Sequence, residues 1–278
     1  MRPSPADIQR AVRLALDEDI GTGDLTAQLV PAEQQATAQV ISRETAILCG
    51  IAWFEACFAE IDPTVRIDWE VAEGANIQPG QRLCTIAGKA RSLLTAERCA
   101  LNFLQTLSGV ATATRTYVDA IAGTASAILD TRKTLPGLRL AQKYAVTIGG
   151  GQNQRIGLYD GILIKENHIA AAGGIRQALT AASWMGQVPT QIEVESLDEL
   201  QTALDAGATL ILLDNFTPDL MREAVRLNAG RAQLEASGNI SLENVRTVAE
   251  TGVDRISVGG LTKHVRAVDL SMRFETRP

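Results

Sequence analysis

Six cationic side chains lie in one stretch of this sequence, residues 130–168. The same stretch holds three acidic side chains, so it carries a net charge of +3 in a chain whose formal charge is −6. A cationic segment in an acidic protein favours a small anionic ligand, because nucleic-acid binding needs a broad basic surface. Apolar runs and a triple glycine separate the charges, a pattern that is not typical of a solvated face. The cationic residues are Arg132, Lys133, Arg139, Lys143, Arg155 and Lys165.

Acidic and small residues further along the chain suit a phosphorylated substrate. Glu193 and Asp214 could hold Mg²⁺ through one or two carboxylates while phosphate oxygens complete its coordination. Ser237-Gly238 and Gly259-Gly260 could cradle a phosphate with backbone N–H groups, since glycine allows a close approach. Simpler interpretations stay open at this point. The two acids could pair with Lys165 in a salt-bridge network, and Gly259-Gly260 could form an ordinary turn.

A repeated unit of one short strand and one amphipathic helix carries these groups. Steps of 21, 21 and 22 residues separate Glu193, Asp214, Glu235 and Ser257, about one βα unit each. We interpret the strands as apolar on both faces, which predicts a parallel sheet covered by helices. Polar groups at the strand ends should then converge on the carboxyl-end rim of a closed or nearly closed α/β barrel.

A doubly wound open sheet is the competing fold, because its strands and helices alternate in the same way. The triple glycine does not favour it. The motif IGGGQNQR follows a predicted helix rather than a strand, and it lacks the G-x-G-x-x-G spacing of a dinucleotide-binding loop.

The first third of the chain has a different pattern. A predicted helix over residues 5–19 and several short strands separated by turn residues indicate an α/β sandwich. Two helices should follow, with Gly109 and Gly123 as their C-terminal caps. We therefore expect an N-terminal domain over residues 1–108 and a barrel catalytic domain over residues 109–265. Residues 266–278 should form a C-terminal tail that packs back on the N-terminal domain.

Composition narrows the class of protein further. No apolar run approaches the length of a membrane span. Four cysteines lack the paired spacing of a zinc site, and the chain has only two histidines. Reduced, buried cysteines in a cytoplasmic protein, with neither membrane nor nucleic acid as partner, are the resulting expectation. The cysteines are Cys49, Cys57, Cys84 and Cys99.

Long motifs extend over essentially the whole chain: DEDIGTGDLT, AERCALNFLQTLSGVAT, DTRKTLPGLRLAQKYAV, GGGQNQRIGLYDGILIKENHI, IEVESLDEL, LLDNF, LEASGNI and VGGLTKHVRAVDLSMRF. Together they resemble the signatures of the quinolinate phosphoribosyltransferase family. The resemblance implies an N-terminal α/β sandwich, an open and irregular TIM-like α/β barrel, and a homodimer in which one subunit completes the other's site. It also implies a reaction of NAD biosynthesis. The phosphoribosyl group of 5-phosphoribosyl 1-pyrophosphate passes to quinolinate, with Mg²⁺ as cofactor and with loss of CO₂, to give nicotinate mononucleotide.

The resemblance also implies roles for individual residues. Arg132 and Arg155 match the family's binders of the quinolinate carboxylates, and Lys133 and Lys165 match its active-site lysines. Arg98 by itself reads as an ordinary helix-surface residue, but its motif matches the arginine contributed across the dimer. Glu193 and Asp214 match the acids near the ribose and the metal. The barrel-end phosphate region is matched by Ser237, Gly238, Gly259 and Gly260.

One position departs from the family pattern. The pattern has Asn-His-Arg after the glycines, whereas this chain has Asn153-Gln154-Arg155. Glutamine can donate a hydrogen bond to a carboxylate but cannot carry a proton or a positive charge. We expect Gln154 to bind substrate with a weaker electrostatic attraction and with less pH dependence near neutrality than histidine would give.

Other functions remain open from the residues alone. A paralogous phosphoribosyltransferase could use another pyridine or a pyrimidine as acceptor. A barrel aldolase could form a Schiff base on Lys133 or Lys165. A non-enzymatic protein could simply bind a phosphorylated ligand. Lysines flanked by arginines fit the binding of a polyanion better than they fit an aldolase.

Overall fold

The computed structural model of the protein describes residues 2–275, which divide into two compact units. Of the described residues, unit 1 contains three ranges, 2–115, 135–150 and 264–275. Unit 2 takes its residues from two ranges, 116–134 and 151–263. The expected domain boundary at residue 108 lies within a helix, Ala90–Ala120, and stays a prediction; the first range of unit 1 ends at residue 115.

Unit 1 is built on an antiparallel sheet of four strands. Its strands are β1 (Gln35–Ser42), β3 (Arg66–Trp69), β5 (Arg82–Lys89) and β12 (Leu270–Phe274), in the order β12-β1-β5-β3. Two short strands, β2 (Ala46–Ile47) and β4 (Asn76–Ile77), pair separately. The helices are α1 (Pro5–Ile20), a 3₁₀ helix (Ala27–Leu29), α2 (Ile51–Ile61), most of α3 (Ala90–Ala120) and α4 (Arg139–Ile148).

Strand β12 belongs to the segment that we expected to form a C-terminal tail. It pairs antiparallel with β1, where Ile41 lies opposite Ser271 and Val40 opposite Met272. The backbone N–H of Glu275 then donates to the carbonyl of Thr37. Residues 276–278 of the expected tail lie outside the described residues.

The prediction of two helices separated at Gly109 was wrong, because α3 continues through this residue without a break. Gly109 has another role. A Cβ atom at this position would overlap the carbonyl oxygen of Arg266, which is backbone and cannot easily move. Glycine is therefore placed here to let two backbone segments of unit 1 approach closely, at the cost of its lower helix propensity.

Unit 2 is a single parallel sheet with a helix after most of its strands. The strands are β6 (Ala127–Leu129), β7 (Ile162–Ile164), β8 (Thr190–Val194), β9 (Leu210–Asp214), β10 (Gln233–Ser237) and β11 (Arg255–Ser257). The helices are α5 (Glu166–Ala172), α6 (Ile175–Ser183), α7 (Leu197–Asp205), α8 (Pro218–Asn228), α9 (Val245–Ala249) and α10 (Gly260–Lys263).

The strand order of unit 2 is β6-β11-β10-β9-β8-β7. Five of these strands follow one another in chain order and β6 joins the last of them, which is the order of an α/β barrel. A doubly wound sheet would reverse direction at its middle. Within the described residues no strand pairing joins β6 to β7, so the barrel is open between them. The predicted alternation of strands and helices is confirmed.

Strands β8, β10 and β11 are not apolar on both faces, and for them the prediction needs correction; β6 and β7 consist of apolar residues only. Successive side chains of a strand point to opposite faces, so residues two apart share a face. One face carries apolar side chains that are at most 1% exposed: Ile192, Val194, Ile211, Leu213, Leu234, Ala236 and Ile256. The other face carries the polar side chains of β8, β10 and β11, with Asp214 at the end of β9, whose Leu210 and Leu212 share this face; the polar residues are Gln191, Glu193, Asp214, Glu235, Ser237 and Ser257. The polar face is therefore available for chemistry, while the apolar face supplies the packing.

All four cysteines are buried and none forms a disulfide. Burial raises the pKa of Cys57 and Cys84 to about 12, because an apolar environment disfavours the thiolate. The expectation that the cysteines are buried is confirmed; their reduced state stays a prediction. No helix in the part of the chain that the structure describes is long and apolar enough to cross a membrane.

Candidate active site

The predicted residues that lie in unit 2 cluster at the carboxyl ends of its strands. Lys165 follows β7, Glu193 lies near the end of β8, and Asp214 ends β9. Ser237-Gly238 stands at the end of β10, and Gly259-Gly260 follows β11. Parallel strands bring their carboxyl ends to one edge of a sheet, which is where active sites of α/β barrels form.

Lys165 and Glu193 form an ion pair at this edge. The ammonium nitrogen of Lys165 lies 2.6 Å from Oε2 and 2.9 Å from Oε1 of Glu193. The Glu193 side chain is only 8% exposed, whereas that of Lys165 is 43% exposed. The lysine therefore compensates a nearly buried carboxylate and still presents part of its charge to a ligand.

Arg155 is a partly buried guanidinium in the loop before β7. Its Nη1 donates to the carbonyl of Gly161 at 3.0 Å, while its buried Nε has no hydrogen-bond partner. Burial lowers the pKa of Arg155, and the positive charge of Arg132 lowers it further; Asp160 acts in the opposite direction. Two guanidinium groups thus lie close enough to repel each other, a cost that a bound dianion would remove.

The loop that carries Arg155 is fixed by Asp160. One oxygen of this carboxylate accepts the backbone N–H of Ile156 and the other accepts that of Gly157, both at 2.8 Å. Leu158 and Tyr159, between these residues, are exposed. The loop is therefore closed by charge-assisted hydrogen bonds and not by apolar packing.

Residues 152–154 fill part of the gap between β6 and β7. The backbone of Gln152 forms a parallel bridge with Leu129 at the end of β6. Buried Asp130 accepts hydrogen bonds from the side-chain nitrogen of Asn153 at 2.6 Å and from the backbone N–H of Gln154 at 2.9 Å. The segment that leads to Arg155 is thus held to β6 by its backbone and by a buried carboxylate.

The amide nitrogen of Gln154 donates to a carboxylate of the protein. It lies 2.6 Å from Oε1 of Glu235 on β10 and 3.4 Å from Oε1 of Gln191 on β8. The sequence reasoning placed Glu235 at a strand end but assigned neither it nor Gln191 to the site. The sequence did contain a signal for both residues. Gln191 is two residues from Glu193, and Glu235 is two residues from Ser237, so each shares a strand face with a predicted site residue.

Lys133 and Gly259 are neighbours at the other edge of the sheet. A Cβ atom on Gly259 would lie 3.1 Å from Cδ and 4.0 Å from Nζ of Lys133. The hydroxyl of Thr262 donates to the backbone carbonyl of Lys133 at 2.8 Å. Glycine at position 259 therefore leaves room for the lysine side chain to lie across the backbone that follows β11. Gly260 begins the short helix α10.

The loops after β9 and β10 meet through unusual backbone conformations. Asn215, Gly238 and Asn239 all have positive φ, of 56°, 96° and 51°. The backbone N–H of Asn215 donates to the carbonyl of Ser237, and its side chain donates to Oδ2 of Asp214 at 2.8 Å. A Cβ atom on Gly238 would overlap the side chain of Asn215. Left-handed residues at adjacent strand ends are typical of functional loops.

Arg98 lies in unit 1, on the surface of α3. Its side chain is exposed, and its charge partly offsets the effect of burial, which raises the pKa of the neighbouring Glu97. The structure therefore presents Arg98 on a helix surface, and the other predicted site residues belong to unit 2.

Among the described residues, no group of three or more His, Cys, Asp or Glu side chains could hold a metal ion. Both oxygens of Glu193 are occupied by Lys165, and one oxygen of Asp214 accepts from Asn215. These contacts do not fit a cage of protein ligands. They fit a Mg²⁺ ion that is coordinated mostly by water and substrate oxygens, with one or two carboxylates nearby.

Two family models match this chain in succession. The N-terminal domain of quinolinate phosphoribosyl transferase matches residues 24–108, and the C-terminal domain of the same family matches residues 110–273. Together they cover most of the 278 residues.

Relatives and solved structures agree with these matches. The chain is 40% identical to quinolinate phosphoribosyltransferase [decarboxylating] 1 of Nicotiana glauca, covering 97% of this chain and 83% of the relative. It is 42% identical to a probable nicotinate-nucleotide pyrophosphorylase [carboxylating] of Bacillus subtilis, covering 92% and 89%. The structure of the nicotinate-nucleotide pyrophosphorylase from Francisella tularensis is similar with a TM-score of 0.96 and 45% identity, covering 99% and 98%.

The fold, the motifs and these likenesses lead to one assignment. The predicted fold class, an N-terminal α/β sandwich domain with an open, irregular α/β barrel, is confirmed by both the sheet topology and the solved structures. This chain belongs to the quinolinate phosphoribosyltransferase family.

Proposed function

We propose that this protein transfers the phosphoribosyl group of 5-phosphoribosyl 1-pyrophosphate to quinolinate and releases CO₂. The observation that carries this proposal is the pair formed by Arg132 and Arg155, whose mutual repulsion and partial burial suit a ligand with two neighbouring carboxylates. The name of the Nicotiana glauca relative describes the same substrate and the same decarboxylation. The product is nicotinate mononucleotide, a precursor in NAD biosynthesis.

The reaction has two bond-breaking steps. The ring nitrogen of quinolinate attacks C1 of the ribose, the bond from C1 to the pyrophosphate oxygen breaks, and pyrophosphate leaves with that electron pair. The new pyridinium draws electrons from the neighbouring carbon, so the bond to the 2-carboxylate breaks and CO₂ leaves. A proton from solvent replaces it on the ring. The protein needs to orient two polyanions and to stabilise the charge that develops on pyrophosphate.

In this proposal the two halves of the site have different tasks. Arg132 and Arg155 hold the dicarboxylate, with the planar guanidinium of each giving two-point contacts. Lys165, oriented by Glu193, adds positive charge at the end of β7. Lys133, lying across Gly259, supplies a cation on the opposite side, where it can reach the pyrophosphate.

The loops after the last strands receive the phosphoribosyl part. Ser237 and Gly238 follow β10, and Gly259 and Gly260 follow β11, where backbone N–H groups can approach a phosphate closely. The carboxylate of Asp214 stands beside them and can accept hydrogen bonds from ribose hydroxyls. The positive φ values at Gly238 and Asn239 support a loop that is shaped for a ligand.

A Mg²⁺ ion would enter this site with the pyrophosphate group. Its chemistry when bound is to offset the charge that develops on the leaving group. Glu193 and Asp214 are the nearest candidates to hold it, and their present contacts favour a role through water over direct coordination.

Assembly and location are further parts of the proposal. The exposed Arg98 would complete the site of a second copy of the chain in a homodimer. The four buried cysteines, which form no disulfide, favour a reducing compartment such as the cytoplasm. The net charge of −6 favours a small anionic ligand over nucleic acid as partner, and no membrane partner is proposed.

A comparison of acceptors tests this function against a paralogous activity. Purified protein is incubated with 5-phosphoribosyl 1-pyrophosphate and Mg²⁺, and pyrophosphate release is followed with quinolinate or with nicotinate. We expect release with quinolinate only, and we expect Lys133→Ala to lower its rate by about 100-fold or more. Equal rates with both acceptors would favour the paralogous activity. Trapping of a carbonyl substrate by borohydride, without pyrophosphate release, would favour the aldolase.

A further inference from the structure

Glu235 is a carboxylate that is completely buried within unit 2. Three neutral groups donate hydrogen bonds to it: the amide of Gln154 at 2.6 Å, the amide of Gln191 at 2.9 Å and the hydroxyl of Ser257. Across the described residues, no cationic side chain lies within ion-pair distance of it. Burial of a carboxylate is costly unless its oxygens are well hydrogen-bonded, and these three donors meet that need.

The carboxylate determines how the amide of Gln154 is turned. The carboxylate oxygens of Glu235 accept from both amide nitrogens and from the hydroxyl of Ser257, so the nitrogen of the Gln154 amide faces Oε1 of Glu235. The same nitrogen also lies 3.4 Å from the oxygen of Gln191, whose own nitrogen donates to the second oxygen of Glu235. Both N–H bonds of Gln154 are thus directed at the protein interior. Gln154 does not present a donor to the substrate in this arrangement.

The next residue along the chain is Arg155, which links this arrangement to the substrate. Asp130 holds the backbone of Gln154 from the β6 side, and Glu235 holds its side chain from β10. Beyond it, Arg155 reaches the carbonyl of Gly161 just before β7. Residues 152–155 therefore span the open side of the barrel. The buried carboxylates of Asp130 and Glu235 hold this segment at Gln154, the residue before Arg155.

We infer that Glu235 is a positioning residue for the dicarboxylate site, which acts by holding the side chain at position 154 and, through it, Arg155. The inference rests on the proposed function, because quinolinate is the ligand that the site would receive. It explains why a neutral glutamine works at a position where the family has histidine. The side chain at position 154 is needed as a donor to Glu235, and glutamine fulfils that role without a charge.

An imidazole at position 154 would meet the same carboxylate. Two carboxylates accept hydrogen bonds from Gln154, that of Asp130 directly after β6 and that of Glu235 on β10, and the next residue along the chain is the cation Arg155. An acidic neighbour favours the protonated imidazole. If Glu235 holds whatever donor stands at position 154, Gln154→His should therefore introduce a histidine whose protonation depends on Glu235.

Steady-state kinetics with both substrates gives the first test. We expect Glu235→Gln, which keeps the shape and removes the charge, to raise KM for quinolinate about tenfold or more and to change KM for 5-phosphoribosyl 1-pyrophosphate less than about twofold. Gln154→Met removes the same hydrogen bond from its other end and should have the same effect. Glu223→Gln, on the exposed surface of α8, is the matched control and should change neither constant.

Nuclear magnetic resonance gives a test that needs no turnover. The chain has only two histidines, so the ring signals introduced by Gln154→His can be assigned by comparison. We expect the pKa of this imidazole to lie above its ordinary value and to fall by about one unit or more when Glu235→Gln is added. Glu223→Gln should leave it unchanged.

Each outcome separates the inference from the proposed function. Absence of any quinolinate-dependent turnover in the unmodified protein would contradict the function and leave the imidazole measurement standing. Turnover with an unchanged KM for quinolinate in Gln154→Met would contradict the inference alone. So would an imidazole pKa at or below its ordinary value in Gln154→His. These two variants keep Glu235 in place, so they decide the matter even if Glu235→Gln fails to fold.

Discussion

Lys165→Met is expected to lower kcat/KM for quinolinate by about 1000-fold, because it removes a preorganised cation from the site. A second effect acts in the same direction. Glu193 is only 8% exposed, and without the ammonium it becomes an uncompensated negative charge facing two anionic substrates. The loss of this partner should also lower the free energy of unfolding by about 1–3 kcal/mol. Steady-state kinetics and urea denaturation measure the two quantities.

A second substitution separates the two effects of Lys165. Adding Glu193→Gln to Lys165→Met removes the uncompensated charge, so the double variant should be more stable and more active than the sum of the single changes predicts. Lys89→Met is the control, because Lys89 forms a similar ion pair with Glu33 on the surface of unit 1. An exposed pair contributes about 0–1 kcal/mol, and its loss should leave kcat/KM unchanged. Equal effects at Lys89 and Lys165 would contradict the proposed role of Lys165.

Arg155→Met should weaken the affinity for quinolinate strongly without destabilising the fold. Loss of a two-point, charge-assisted contact should raise KM by about 100-fold. The free energy of unfolding should change by less than about 1 kcal/mol, because the lost bond to Gly161 is offset by relief of a buried, repelled charge. This combination is typical of residues that are placed for a ligand and not for stability.

Ligand-induced stabilisation checks the role of Arg155 without any turnover. Quinolinate at about 100 times its Kd should stabilise the unmodified protein by about 2.7 kcal/mol, and at the same concentration it should stabilise Arg155→Met, whose affinity is about 100-fold weaker, by only about 0.4 kcal/mol. Arg176→Met, on the exposed surface of α6, is the control and should behave like the unmodified protein. If quinolinate raised the melting temperature of Arg155→Met as much as that of the unmodified protein, Arg155 would not bind the carboxylates.

The barrel could be predicted from sequence because its signals are local and regular. Strand-helix units of nearly constant length place Glu193 and Glu235 level with each other, both in register with Leu212, and Asp214 two residues nearer the carboxyl edge, level with Ser237. Parallel strands bring such positions to one edge. The continuity of α3 could not be predicted in this way. Gly109 looks like a helix cap in the sequence, but its neighbour Arg266 is distant along the chain and only the fold brings them together.

The contacts of Gln154 were beyond sequence reasoning for the same physical reason. The motif identified it as an unusual residue beside Arg155, and glutamine is able to donate a hydrogen bond to a substrate carboxylate. Its actual acceptor, Glu235, lies 81 positions further along the chain. Whether the Gln154 amide donates to a substrate or to a carboxylate of the protein depends on which acceptor the fold of the barrel brings within reach. The spacing of residues within one motif does not contain that information.

The central claim is that the 2-carboxylate of quinolinate leaves during phosphoribosyl transfer. Quinolinate labelled with ¹³C in the 2-carboxylate, incubated with 5-phosphoribosyl 1-pyrophosphate and Mg²⁺, tests this claim most directly. We predict that labelled CO₂ and pyrophosphate appear in equal amounts and that the nucleotide product carries no label. A nucleotide that retains the label, or pyrophosphate release without labelled CO₂, would contradict the claim.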